Sequence, residues 1–318
     1  MECPKCKYVR QPHDSAPKWQ CPRCGIAYEK FIDDIPDTVD AKPVPVFIRR
    51  GIIRTNVASR SRFKRWRIAI LLTILGAVAL DSWLTLVRST SWDHPLWVVV
   101  YPINGDGSAE SAEYIRTLTT NDFSPVEQFM VDEINRYKLP VKDPVDVRIG
   151  PIVKELPPLP PKDGAIWKIV LWSLHLRYWS IVKDEYDGPR PNIRIFVLYH
   201  KAEDGKLLDH STGLQKGMVS VVHAFADGKM AARNNVVITH EMLHTLGATD
   251  KYDLSNGLPI YPNGYGDPQQ QPLLPQKWAE IMGGRIAISA TESEMPNSLN
   301  QTLVGAATAR EIGWLKIN

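Results

Sequence analysis

The sequence predicts an α+β catalytic domain preceded by a small metal-bound ribbon and one transmembrane helix. Three observations predict it. Two Cys-x-x-Cys pairs fall within the first 24 residues and hold every cysteine of the chain. An apolar run begins at Ile68 and reaches Val87. Beyond it, β-rich segments and helical segments follow one another, and one stretch reads His-Glu-Met-Leu-His-Thr-Leu-Gly-Ala-Thr-Asp over 240–250. With 318 residues and 44% apolar composition, the chain is long enough for two units with a globular core.

The ribbon comes first, over residues 1–32. Cys3 and Cys6 form one pair, and Cys21 and Cys24 the other. Each pair offers two thiolates from a tight turn, and two pairs complete a closed tetrahedral S₄ zinc site. About thirty residues cannot build a sufficient core, so a structural zinc would hold the segment together. Two disulfides or redox-active pairs are the competing readings, but nothing else marks the segment as secreted or thioredoxin-like.

Residues 33–67 read as a linker and a basic juxtamembrane segment. Net charge is only +3, yet residues 41–67 carry nine basic side chains and no acidic one. The apolar run over 68–87 has about the length that spans a bilayer. Asp81 opposes this, at roughly 2.5–3.5 kcal/mol on insertion scales. The residues from Ile68 to Leu80 offset it, because each large apolar side chain contributes about −0.3 to −0.6 kcal/mol. Positive charge stays on the cytoplasmic side, so the expected orientation is N-terminus inside and C-terminus outside, periplasmic in a bacterium. Cysteine thiolates then sit in a reducing compartment. A signal peptide cleaved after Ala77-Val-Ala79 and a buried helix of a soluble protein are the alternatives. Topology and lipid headgroups explain the basic run more simply than nucleic-acid binding does.

Residues 88–318 form the catalytic domain. Leu96 to Tyr101 reads as a strand. Ser124-Pro125 opens a helix that runs to about Lys138. Asp146 to Ile149 is a short strand, and the prolines at 157, 158, 160 and 161 mark an extended loop. Ala165 to Val182 is a Trp-rich helix, and Lys168, His175 and Arg177 argue against a second span. Ile193 to Tyr199 and Met218 to Ala224 are strands. His175 and His223 read as ordinary core or surface histidines. A final helix is expected over 298–312.

The chemistry concentrates at 240–250. Two histidines four apart lie on one helix face, one turn from each other, so His240 and His244 can grip one zinc ion. Glu241, beside the first ligand, is placed to take a proton from a zinc-bound water. Gly247 can end the helix in a left-handed conformation and turn the chain so that Asp250 becomes the third ligand. Asp253, Glu280 and Glu311 are the other candidates for that place. A fourth position left open to water marks a catalytic site. The loop from Lys251 to Gln276 carries Tyr252, Tyr261 and Tyr265, any of which could offer an O–H to a transition state.

His-Glu-x-x-His-x-x-Gly-x-x-Asp resembles the metzincin signature with Asp in place of the third His, and the ligand set of the snapalysin-type zinc endopeptidases. Ala279 to Gly284, with Met282, resembles the methionine turn of that family. The resemblance covers about residues 195–315. It departs at Asp250 and at Gly284, where some metzincins keep a tyrosine. It implies a metzincin-type catalytic domain, with active-site helix, loop, methionine turn and final helix in that order.

The expected function is that of a membrane-anchored zinc metallopeptidase with two zinc ions, one catalytic and one structural. Its partners would be a protein or peptide substrate, the membrane, and a cytoplasmic protein bound by the ribbon. The competing expectation is a zinc-bearing membrane scaffold or sensor with little hydrolytic activity. The retention of Glu241 favours the enzyme, since a structural site has no need of it.

Overall fold

The computed structural model describes residues 2–3, 5–27, 64–76, 78, 80, 91–161, 164–202, 211–215 and 217–315. The chain divides into two compact units, Met1–Arg62 and Phe63–Asn318. The expected linker and most of the basic segment lie outside the described residues.

In the first unit the two cysteine pairs fold alike. Lys7 N donates to Cys3 O, and Gly25 N donates to Cys21 O, closing one tight turn at each pair. The fifth residue of each turn is left-handed, Lys7 at φ 59° and Gly25 at φ 69°. Glycine takes that conformation without cost, whereas a lysine there carries the strain of its Cβ.

In the second unit, residues 64–76, 78 and 80 are helical (α1). No helix among the described residues is long and apolar enough to cross a membrane. The expected transmembrane helix over 68–87 is therefore not borne out by the described residues. Residues 77, 79 and 81–87 of it lie outside them.

A mixed five-stranded sheet forms the heart of the domain. Its strands are β1 (Leu96–Asn104), β2 (Val145–Ile149), β3 (Ile193–His200), β4 (Thr212–Leu214) and β5 (Val219–Phe225), in the order β2-β1-β3-β5-β4. All neighbours are parallel except β4, which pairs antiparallel with β5 at one edge. Strands covered on both faces read as continuous apolar runs, as β1 and β3 do. Alternate residues sort into two cores. Val98, Val100, Ile195, Val197 and Val222 face one, together with Val126, Met130 and Ile134 of α3 (Ser124–Tyr137) and Val236, Ile238, Met242 and Leu243 of α5 (Ala231–Thr245). Val99, Tyr101, Ile103, Phe196 and Leu198 face the other, where Leu176 and Trp179 of α4 (Ile166–Val182) cover them.

A buried polar cluster joins the end of α4 to the sheet. Arg194 Nε and Nη2 each lie 2.7 Å from Asp184 Oδ2, and Tyr101 donates its hydroxyl to the same carboxylate. Removing one partner of a buried charged pair strands the other in a low dielectric, so the cluster holds α4 in one register against the sheet.

The structure lengthens β1 and β3 and adds two elements absent from the expected layout. Helix α2 (Ala109–Thr117) is capped by Ser108, whose side chain accepts from Ser111 N. Strand β4 has only three residues, too few to show an alternation. After α5 the chain forms short pieces: β6 (Ala279–Glu280), β7 (Ile286–Ala287), β8 (Ser293–Glu294), β9 (Thr302–Leu303) and α6 (Ala306–Glu311). The final helix expected from Ser298 thus begins only at Ala306. Thr302 and Leu303 pair instead with β6 in a parallel ladder, and that tertiary pairing wins over the local helical pattern.

Candidate metal centre

Helix α5 carries the site. Its apolar positions, Val236, Ile238, Met242 and Leu243, press on the sheet, so its polar residues must be satisfied in place. Leu246 caps it, and Gly247 follows at φ 105°, with Ala248 N donating back to Leu243 O at 3.1 Å. This left-handed stop is what Gly247 predicts. The chain turns, and Asp250 comes to face the helix it has just left.

Three donor atoms meet there. His240 Nε2 and His244 Nε2 are 3.1 Å apart, and Asp250 Oδ1 lies 3.2 Å from the first and 3.1 Å from the second. A tetrahedral zinc with bonds of about 2.0–2.1 Å puts its ligand atoms roughly 3.3 Å apart. The spacing therefore fits one ion held between them.

The backbone partners of the two rings fit the same arrangement. His240 Nδ1 is 2.8 Å from Ile281 O, and His244 Nδ1 is 2.8 Å from Ala248 O. A carbonyl only accepts, so each Nδ1 carries a hydrogen, and each Nε2 is left directed at the other ring and at Asp250, the orientation that a ligand to a shared metal ion needs.

Glu241 points to a different task. It is buried, and its Oε2 accepts no hydrogen bond from the described residues. Burial pushes its carboxyl above the usual range, although the neighbouring histidines oppose this. Strand β4 lies directly against it. A Cβ on Gly213 would overlap the His244 Cβ and the Glu241 carbonyl, so only glycine lets the sheet edge approach α5 this closely.

The other acidic residues considered as ligands have different partners. Glu280 is fully buried and accepts from Gly283 N at 2.8 Å, Gly305 N at 2.9 Å and Thr308 Oγ1 at 2.6 Å. It ties the turn of residues 281–283 to the start of α6. Glu311 accepts from Thr249 N at 2.9 Å and from Lys251 Nζ at 2.7 Å, gripping the chain on both sides of Asp250. Asp253 binds its own loop through Ser255 N and Oγ.

Met282 is fully buried in the core beneath α5, and Lys251 N donates to its carbonyl at 2.9 Å. The turn that resembles a methionine turn thus contacts the site through two carbonyls, Ile281 O to His240 and Met282 O to the residue after Asp250. The long loop is seated on that turn. A Cβ on Gly264 would overlap Lys251 O, and one on Gly283 would overlap Gly264 O. Of the three loop tyrosines, Tyr252 is close to the site, with ring centroids 6.3 Å from His240. Tyr261 and Tyr265 pack edge to face against each other.

The four cysteines also converge. Cys3 Sγ and Cys24 Sγ are 3.6 Å apart, as are Cys6 Sγ and Cys21 Sγ, and the four sulfur atoms lie within 4.8 Å of one another. All four are free thiols. Zn–S bonds of about 2.3 Å separate sulfurs by roughly 3.8 Å, whereas a disulfide needs about 2.05 Å. The donor set and its spacing fit a closed tetrahedral metal site.

Comparison with known proteins returned no matching family model and no matching curated protein. Among solved structures, the chain is similar to wild-type OgpA from Akkermansia muciniphila, with a TM-score of 0.30 and 13% identity over 69% of this chain and 60% of that one. Catalytically inactive OgpA in complex with an O-glycopeptide, glycodrosocin, gives a TM-score of 0.30 and 13% identity, over 69% and 59%. The chain thus spans about 60% of the length of OgpA. A likeness of this size assigns neither family nor activity, so the site's own geometry has to carry the function.

Two features of the site escaped sequence reasoning. Gly213 has no side chain to announce a role, and the backbone carbonyls that orient the histidines carry no sequence signal. His200, the last residue of β3, and His223, within β5, pair through Nε2 and Nδ1 at 3.0 Å and stand outside the metal cluster. Lys251 was legible only as a loop residue, yet it is buried against Glu311.

Proposed function

We propose that this chain is a membrane-anchored zinc metallopeptidase whose N-terminal zinc ribbon lies in the cytoplasm. The observation that carries the catalytic part is the buried Glu241 Oε2, without a hydrogen-bond partner among the described residues, beside three converging donors. A structural metal site gains nothing from that carboxylate, and burying it costs free energy.

His240, His244 and Asp250 would hold a zinc ion, which would supply a Lewis acid and lower the pKa of water at the site towards ~7. Glu241 takes the attacking water's proton at Oε2 and delivers it to the departing amine nitrogen. Burial raises its pKa, the direction that suits a group that must both accept and return a proton. Tyr252 is pushed up to about 12, first by burial and then by the charges of Asp250 and Glu241, so it remains a phenol and can donate to a developing oxyanion. Glu311 and Lys251 hold the strand of chain that bears Asp250, and Glu280 holds the turn beneath His240.

Purified full-length chain should cleave members of a broad peptide and protein panel. A chelator should abolish that cleavage, and added zinc should restore it. Cleavage that survives complete metal removal sinks the assignment.

The membrane anchor is supported by α1, where Trp66, Ile68, Ile70, Leu71, Leu72, Ile74 and Leu75 are all exposed. From Ile68 on, α1 is apolar on every side, which suits a protein core or a bilayer, and among the described residues these side chains join neither core. The nine basic residues over 41–67, six ahead of α1 and three in its first four residues, orient the chain N-terminus inside. A reporter fused after Asn318 should be active only outside the cytoplasm, and activity inside would reverse the orientation.

The ribbon offers a surface for a cytoplasmic protein partner. Two metal sites imply two zinc ions per chain. Changing Cys21 and Cys24 together to serine should remove one zinc, measured by atomic emission, and leave the other in place. A wild-type chain that binds a single zinc would end the two-site reading.

A further inference from the structure

Helix α4 has two apolar faces, and the domain uses only one. Leu176 and Trp179 pack on the sheet, with Trp172 beside them. On the opposite side, Trp167, Val170, Leu171, Leu174, Tyr178 and Ile181 recur at helical spacing, and all six are exposed. Ile166, at the start of the helix, is 80% exposed, and Leu159, in the proline-rich loop before it, is 79% exposed. Trp172 Nε1 donates to Pro158 O at 2.7 Å and fastens that loop to the helix. Soluble monomers rarely expose so large a continuous apolar patch without using it.

We infer that this outer face of α4 lies on a phospholipid bilayer and seats the domain on the membrane surface. Three observations choose lipid as the occupant. No acidic residue occurs from Gly164 to Lys183, so nothing on the helix repels an anionic headgroup. Trp167 and Tyr178 are the amphipathic side chains that favour the headgroup boundary, and Lys168 folds its ammonium over the Trp167 ring at 5.4 Å, apolar stem and charged tip side by side. The third observation is reach. Only fifteen residues separate Leu80, the last described residue of the apolar helical stretch, from Leu96 at the start of β1. Fully extended, they span at most about 50 Å, so an inserted α1 keeps the domain beside the bilayer.

The inference also leaves the metal centre accessible. The outer face of α4 points away from the sheet on the side opposite α5, so lipid there does not cover His240, His244 or Asp250. The membrane would hold the cleft at a fixed height and direct it towards substrates near the surface. This inference rests on the anchor reading for its argument of reach, and the test separates the two.

Full-length chain reconstituted in phosphatidylcholine–phosphatidylglycerol vesicles, with a trace of phospholipid bearing an acyl-chain diazirine, is irradiated, digested and mapped by mass spectrometry. Acyl-chain adducts are expected on peptides from 166–182 as well as on those from 64–80. In Leu171→Glu/Leu174→Glu, adducts on 166–182 should fall about tenfold or more while those on 64–80 persist. Zinc content of the variant, unchanged, shows that the domain still folds. Adducts on 166–182 alone support the inference and end the anchor reading. Adducts on 64–80 alone overturn the inference and leave the anchor standing, and a map with neither overturns both. If 166–182 stays unlabelled and the detergent-solubilised chain is a dimer that the double variant dissociates, the face belongs to a second copy of the chain and the inference is overturned.

Discussion

Replacing Glu241 by glutamine should leave both zinc ions bound and remove nearly all peptide hydrolysis. The side chain keeps its size and its place on α5, and it is not among the three converging donors. What it loses is the ability to take a proton. General-base assistance typically contributes about 10²–10⁴-fold, so the loss should appear in kcat at that scale. The amide also removes a buried ionisable group, so the variant should be at least as stable to heat as wild type. Equal activity of wild type and Glu241→Gln across the substrate panel would end the peptidase reading and favour a zinc-bearing scaffold.

Asp250→Ala should behave in the opposite way and lose metal first. Removing one of three donors leaves His240 and His244 to hold the ion, and zinc affinity should fall by more than the ~10–100-fold that follows loss of an outer-shell partner. Activity should return in part when free zinc is raised, which Glu241→Gln cannot imitate. Asp253→Ala is the matched control, because that carboxylate bonds only within its own loop. Isothermal titration of both variants against zinc decides the assignment. It is wrong if Asp250→Ala keeps stoichiometric zinc at a free metal level where Asp253→Ala has lost it. Glu280→Gln adds a structural contrast. Its three donors lose part of a buried acceptor, at about 1–3 kcal/mol, so it should lower thermal stability while zinc still binds.

Each part of this chain that was legible in the sequence depends on local geometry. Two histidines four apart must share a helix face, and a glycine after the last turn can stop the helix, whatever surrounds them. Two Cys-x-x-Cys turns bring their own thiolates together within a few residues. The strands of the parallel sheet showed as apolar runs because both faces are covered. Even the unusual composition of α4 was visible, although its meaning was not. Period and hydropathy describe the helix alike whether its second face meets protein, lipid or water.

What was not legible depends on contacts between distant segments. Asp250, Asp253, Glu280 and Glu311 are equivalent as acidic residues beyond the active helix. They are separated by their partners: two histidines for Asp250, three hydrogen-bond donors for Glu280, and a buried lysine for Glu311. Tyr252 stands out from Tyr261 and Tyr265 only once the loop is folded. The last helix lost its first half because Thr302 and Leu303 found a strand partner at 279–280. The sequence by itself determined which residues could bind metal and which could move a proton, since those properties belong to side chains and to spacing along a single turn. The tertiary structure decided which of the candidate carboxylates converges with the histidines, which is tied into the core, and which apolar face is left uncovered. Those outcomes depend on how the chain turns back on itself and on hydrogen-bond partners and burial supplied by other segments, as Lys251 supplies Glu311 from sixty positions away, and no local pattern encodes them.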